Sequence, residues 1–251
     1  MKRGQITVFI VLGLIFVAVI GLLIAYKDTL MGSQTAQVEG IGTLQPELMG
    51  AGELIEDCIK EVAKSGLSDL GMHAGIIDNS QLETFDFSGL DATYLYSNSE
   101  SKLPSREAME ESLALFVKQN VRDCLAVELP GFEVTPAEVK EVSADIGSEE
   151  VDVAVEWPIT IKKAALESKV DGFKISVPVR LGIIYNEVES FISQQLETPE
   201  EVCLSCLLDS AQEKDLSIEV NNFISTYVFV VKDTKVLIND QPYHFVFANG
   251  Y

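Results

Sequence analysis

From Ile6 to Tyr26 the chain runs 21 residues without a charge, and Thr7 is the only clearly polar one. As a helix rising about 1.5 Å per residue, that run spans roughly 30 Å, the hydrocarbon thickness of a bilayer. No polar stripe interrupts it, so it does not read as the amphipathic helix of a soluble core. The next twenty residues, KDTLMGSQTAQVEGIGTLQP, are weakly patterned and read as a stalk ending near Pro46.

Beyond the stalk, Leu48, Ala51, Ile55, Cys58 and Val62 fall on one helical face, and Gly66 reads as its stop. Residues 67–103 read as turns around short apolar pieces such as DATYLYS. Met109, Leu113, Phe116, Val117 and Cys124 then mark a second helix from about Ser105 to Leu125, with early acids suited to a helix N-terminus. The period next changes to two. EEVDVAVEWPITIKK sets Val151, Val153, Val155, Trp157, Ile159 and Ile161 on one face of a strand that Pro158 bends or confines to an edge. FKISVPVRL repeats the device, and the intervening AALESKVDG is expected to turn the chain between the two. A helix is expected from about Gly182 to Leu196 and another from Thr198, followed by a meander of LSIEV, TYVFVVKD and YHFVFA.

The fold class is therefore α+β: an N-terminal transmembrane helix, then an antiparallel sheet with helices packed on one face. The expected organisation is a short basic end (1–4), a membrane helix (5–26), a stalk (27–46) and a domain over 47–251. Within that domain, about 47–130 is mainly helical and about 131–251 rich in strands.

Lys2 and Arg3 precede the apolar run, while Lys27 and Asp28 cancel behind it. The positive-inside bias then places the N-terminus in the cytoplasm and the domain outside. A cleaved secretion signal fits less well, because such signals have apolar regions of about 7–15 residues and a small-residue cleavage site. The nearest small-residue candidate, SQTA, ends at Ala36, well past the run. Lys-Arg-Gly-Gln ahead of an apolar helix resembles the class III leader of archaeal type IV pilins, and the chain is also similar to archaeal single-pass membrane proteins that start this way. The pilin resemblance implies cleavage between Gly4 and Gln5 by a prepilin peptidase. Pilins of this kind carry a glutamate five residues into the mature chain, where this sequence has Phe9. That difference points to a minor pilin-like subunit, or to a plain anchor, over a major filament subunit.

Charge narrows the partners. With 39 acidic and 18 basic residues the chain carries a net charge of −21, a surface that repels phosphate backbones and excludes nucleic acid as a partner. The expected partners are membrane lipid through residues 6–26 and a protein in the envelope.

The four cysteines, Cys58, Cys124, Cys203 and Cys206, are even in number and, outside the cytosol, free to pair. Cys58 and Cys124 lie on the apolar stripes of two helices, which favours Cys58–Cys124 with Cys203–Cys206. Four free buried thiols are the alternative. CLSC is also a redox spacing, and a thiolate there is stabilised when the first cysteine opens a helix. Here Thr198, Pro199 and Glu201 read as the cap, first position and capping box of a helix that begins earlier. Cys203 would then lie a turn inside it, with Glu200 and Glu201 raising its pKa. A zinc site needs two close ligand pairs, and only one exists. His73 and His244 are isolated.

No GxSxG elbow, HExxH, Walker loop or GxGxxG accompanies these residues, so no cofactor and no catalytic residue is assigned. The expected function is a membrane-anchored extracytoplasmic protein with a structural or binding role in the cell envelope. The alternatives are a pilin-like subunit processed before Gln5 and an extracytoplasmic thiol-disulfide or zinc protein.

Overall fold

The computed structural model describes residues 46–126, 129–199 and 202–251. The apolar run, the stalk and the Gly4–Gln5 junction lie outside the described residues, within which no helix is long and apolar enough to cross a membrane. The described part is α+β. It is built on helix α1 (Pro46–Met72), whose 27 residues extend roughly 40 Å at a helical rise.

Helix α1 runs past Gly66, the expected stop, because that glycine serves packing. A Cβ there would lie 2.7 Å from Phe116 Cδ1 and 2.9 Å from Leu113 Cδ1. Those side chains belong to α2 (Arg106–Asn120), which is capped by Ser105 accepting the Ala108 N–H and continues as a 3-10 turn over Val121–Ala126. Gly66 marks the crossing point of two helices.

The expected hairpin of EEVDVAVEWPITIKK and FKISVPVRL forms, but as a bent ribbon. Its first limb is β6 (Val151–Glu156) and β7 (Ile159–Lys163), and its second is β8 (Leu166–Val170) and β9 (Phe173–Val177). AALESKVDG was expected to turn, yet most of it is strand β8, and the reversal is confined to residues near Ala164, whose φ is 53°. The period-two pattern continues through Leu166, Ser168 and Val170 only weakly, which hid the strand. A third limb, β4 (Glu133–Pro136) with β5 (Glu141–Ile146), completes two three-stranded sheets, β4-β7-β8 and β5-β6-β9. The corner falls at Trp157–Pro158. Trp157 is fully buried there and donates its indole N–H to Ala137 O at 3.1 Å. Opposite it, a Cβ on Gly172 would meet Val155 O at 2.6 Å, so only glycine lets the two backbones come this close.

Residues 67–103 hold more than turns. They carry β1 (Thr84–Phe87), β2 (Leu90–Ser97) and the short β3 (Glu100–Ser101). The C-terminal meander forms as expected from β10 (Leu216–Asn222), β11 (Thr226–Ile238) and β12 (Gln241–Gly250). The sheet order is β1-β2-β12-β11-β10, with β3 on β2, and it is antiparallel except where β2 joins β12 in parallel. Phe229, Val231, Phe245 and Phe247 face the main core, while Val228, Val230, Val246 and Ala248 form a second, smaller cluster with Phe85, Phe87 and Leu90 packed against it. Helix α1 packs into the main core on the first face, while the second cluster is drawn from the strands, with Met72 the one helix residue packed against it among the described residues.

Helix α3 (Leu181–Glu197) matches the expected helix, and α4 (Leu204–Glu213) follows. Helix α1 packs against β12 and also against β7, β8 and β9, joining the sheets through one continuous core.

The tightest contact is at the C-terminal end of α1. A Cβ on Gly71 would lie 2.2 Å from the His244 carbonyl oxygen, and Tyr243, fully buried, donates its hydroxyl to Leu67 O at 3.1 Å. A backbone atom cannot swing aside as a side chain can. Gly71→Ala should therefore destabilise the domain by about 1–3 kcal/mol, the usual cost of overpacking a filled core. Urea unfolding checks it, and an unchanged midpoint would mean that α1 can shift on β12.

Candidate functional site

The cysteines form two pairs at disulfide distance. Cys58 on α1 meets Cys124 in the 3-10 turn with their Cα atoms 5.6 Å apart, and Cys203 meets Cys206 at 5.3 Å. The pairing favoured by the sequence is the one present, and the alternative of four free thiols is not. No group of three or more His, Cys, Asp or Glu residues able to hold a metal exists among the described residues. The cysteines therefore do not gather as the zinc alternative requires.

The two pairs differ in setting. Cys124 is fully buried in the main core, and Cys58 packs half-buried against it. Cys206 is exposed and Cys203 half-exposed. The expected helix from Thr198 is also corrected. Thr198 closes α3, its backbone N–H and its hydroxyl both reaching Gln194 O, and Cys203 is the residue immediately before the first turn of α4. The capping signal in the sequence failed because the Thr198 hydroxyl is engaged backwards, by the last turn of α3. Beside the pair lies an open cavity of about 520 Å³ lined by Gln194, Thr198, Val202, Cys203, Leu204 and Ser205. The Gln194 amide lies 3.9 Å from Cys206 Sγ, and the Ser205 hydroxyl 3.8 Å from Cys203 Sγ.

Helix α4 is held to α3 by ionic contacts. Lys214 and Ser210 of the α4 end both bind Glu187 Oε2, at 2.5 and 3.0 Å, and Glu187 is buried on α3. Seven residues earlier in the chain, Arg180 grips Asp233 through Nε at 2.8 Å and Nη2 at 2.7 Å, and also donates to Lys214 O at 3.0 Å. Hydrogen bonding to Asp233 holds the Arg180 guanidinium even more firmly in its charged form.

A second concavity, about 530 Å³, opens where β2 and β12 run parallel, and Glu83, Tyr94, Tyr96, Thr226 and Tyr251 are among its lining residues. Its polar groups are largely paired with each other. The hydroxyls of Tyr94 and Thr226 lie 2.8 Å apart, Tyr251 donates to Gln195 Oε1 at 3.0 Å, and Glu83 accepts from Ser97 and Lys102. Burial pushes the Tyr251 hydroxyl up to about 12, and the Lys102 and Ser97 contacts hold the Glu83 carboxyl below its usual range. No local sequence signal points to this cleft, because its residues come from five separated segments that only the tertiary fold assembles.

His244, half-buried on β12 opposite Lys232, has its pKa lowered, first by desolvation and then by the lysine charge. A base whose folded pKa is depressed binds protons more readily when unfolded, so stability falls as pH drops below the unfolded value of about 6.5. Urea midpoints should therefore decline between about pH 7 and the folded pKa, and His244→Gln should flatten that slope. An unchanged slope in the variant would assign the effect to other groups.

No protein-family model, no curated protein and no solved structure matches this chain.

Proposed function

We propose that the protein is anchored in a membrane through residues 6–26 and displays its α+β domain outside the cytosol, in a structural or binding role in the cell envelope. The observation that carries the reading is the approach of all four cysteines to disulfide distance in two pairs, an arrangement suited to an oxidising compartment. The charge-free run from Ile6 to Tyr26 supports a span, and Lys2 and Arg3 ahead of it support the orientation. The acidic surface keeps such a domain soluble and turns away nucleic acid. A second reading, a pilin-like subunit processed before Gln5, is favoured by Lys-Arg-Gly-Gln in front of that run.

Intact mass of the protein purified from native membranes tests both. The anchored reading expects the full chain, less two hydrogens per bridge. Loss of residues 1–4 would favour the pilin-like reading, and recovery in the soluble cytosolic fraction with four free thiols would overturn both.

A further inference from the structure

We propose that Cys203 and Cys206 form a thiol-disulfide exchange site that accepts two electrons from a protein dithiol, while Cys58–Cys124 is a structural bridge. The inference goes beyond an envelope-binding role and needs only the folded domain, wherever that domain resides.

Three observations meet at this pair. First, Cys206 is exposed, so an incoming thiolate can reach its sulfur, whereas the Cys58–Cys124 bridge ends on a fully buried sulfur-bearing residue. Exposed disulfides are the labile ones. Second, Cys203 stands at the N-terminus of α4, a helix of 10 residues, where unsatisfied backbone N–H groups favour negative charge. Cys203 is therefore the better leaving thiolate of the two, and a stabilised leaving group speeds exchange. Third, the adjoining cavity of about 520 Å³ offers the Gln194 amide and the Ser205 hydroxyl beside the sulfurs, with Val202 and Leu204 as apolar walls, a fit for an extended peptide segment carrying the attacking cysteine.

The step balances. A thiolate of the partner dithiol attacks Cys206 Sγ, a new sulfur–sulfur bond forms, and the Cys203–Cys206 bond breaks with its electron pair leaving on Cys203 Sγ. The partner's second thiol, losing its proton, then attacks the mixed disulfide and displaces the Cys206 thiolate. Both domain thiolates take up the two protons the partner has released. The partner is oxidised to a disulfide, and the domain is reduced by two electrons and two protons.

The test uses the full chain in detergent with dithiothreitol as the probe dithiol, quenched with a maleimide at intervals and mapped by peptide mass. Cys203 and Cys206 should become labelled at least about tenfold faster than Cys58 and Cys124, with native circular dichroism retained. A model peptide with two cysteines should be oxidised in a one-to-one amount by wild type, and not by Cys206→Ser. Equal labelling rates of the two pairs, or opening of Cys203–Cys206 only when the circular dichroism signal collapses, would overturn the proposal. Should Cys206→Ser fail to fold, the rates mapped on wild type decide the matter alone.

Discussion

Replacing Asp233 by alanine is expected to destabilise the domain by about 3–5 kcal/mol, the cost of leaving a buried charge without its partner. Arg180 and Asp233 are both buried, at 7% and 0% exposure, and meet through two parallel N–H···O contacts. The pair sits where three elements converge. Arg180 precedes the first turn of α3, its third contact is to Lys214 O at the end of α4, and Asp233 lies on β11 just where the register with β12 breaks. Asp233 also accepts the Lys235 N–H at 3.0 Å, so its carboxylate shapes the local strand as well as the pair. Without it, the guanidinium must either stay dry and uncompensated or draw water into the junction. Chemical denaturation of the purified domain reads the loss directly. The double substitution Arg180→Met with Asp233→Leu should recover most of it, because removing both charges removes the desolvation cost together with the attraction. A single-variant loss below about 1 kcal/mol would mean that the junction is wet, with the pair behaving like one on the surface.

Neither member of this pair could be singled out from the sequence. In so acidic a chain an isolated aspartate in TYVFVVKD reads as the solvated face of a strand, and the arginine after VPV reads as a helix flank. Sequence patterns speak of neighbours within a few residues, and Arg180 and Asp233 are 53 residues apart. The same limit explains the other corrections. Gly66 and Gly71 carry the ordinary signal of a helix stop, yet both are small because something outside the helix presses on them, Phe116 in one case and a strand carbonyl in the other. Strand β2 was hidden because LDATYLYS is buried on both sides over most of its length and shows no clean alternation. The Ser88–Gly89 turn ties it only to β1, and its parallel partner β12 lies some 150 residues on with no turn to announce that pairing. What periodicity did report was local burial. Val151, Val153, Val155, Trp157, Ile159 and Ile161 are all buried on one side, even though the bend at Pro158 divides them between two sheets. The candidate site was half legible in the same sense: CLSC named the sulfurs, but whether Cys203 opens its helix depended on where α3 chose to end.

Removing the Cys58–Cys124 bridge, as Cys58→Ala with Cys124→Ala, is expected to cost about 4 kcal/mol on the chain-entropy estimate for a closed loop of 66 residues. The bridge joins α1 to the 3-10 turn that ends α2, and the loop it closes contains α2 and strands β1 to β3. In the unfolded chain that loop gains the most freedom of any segment the cysteines control, since the other pair closes only three residues and constrains little. Alanine is the right replacement at Cys124, because a serine hydroxyl in that fully buried position would add its own desolvation penalty. The measurement is urea unfolding of the double variant beside a Cys203→Ala, Cys206→Ala control. The first should lose most of the domain's stability and show a steeper dependence on urea as the released chain expands, while the control should shift little. A loss confined to about 1 kcal/mol would place the cohesion of α1 and α2 in side-chain packing, where Phe116 and Leu113 already press on Gly66. An equal loss in both double variants would sink the division of labour between a structural bridge and an exchangeable one, because the exchangeable pair must open without taking the fold with it.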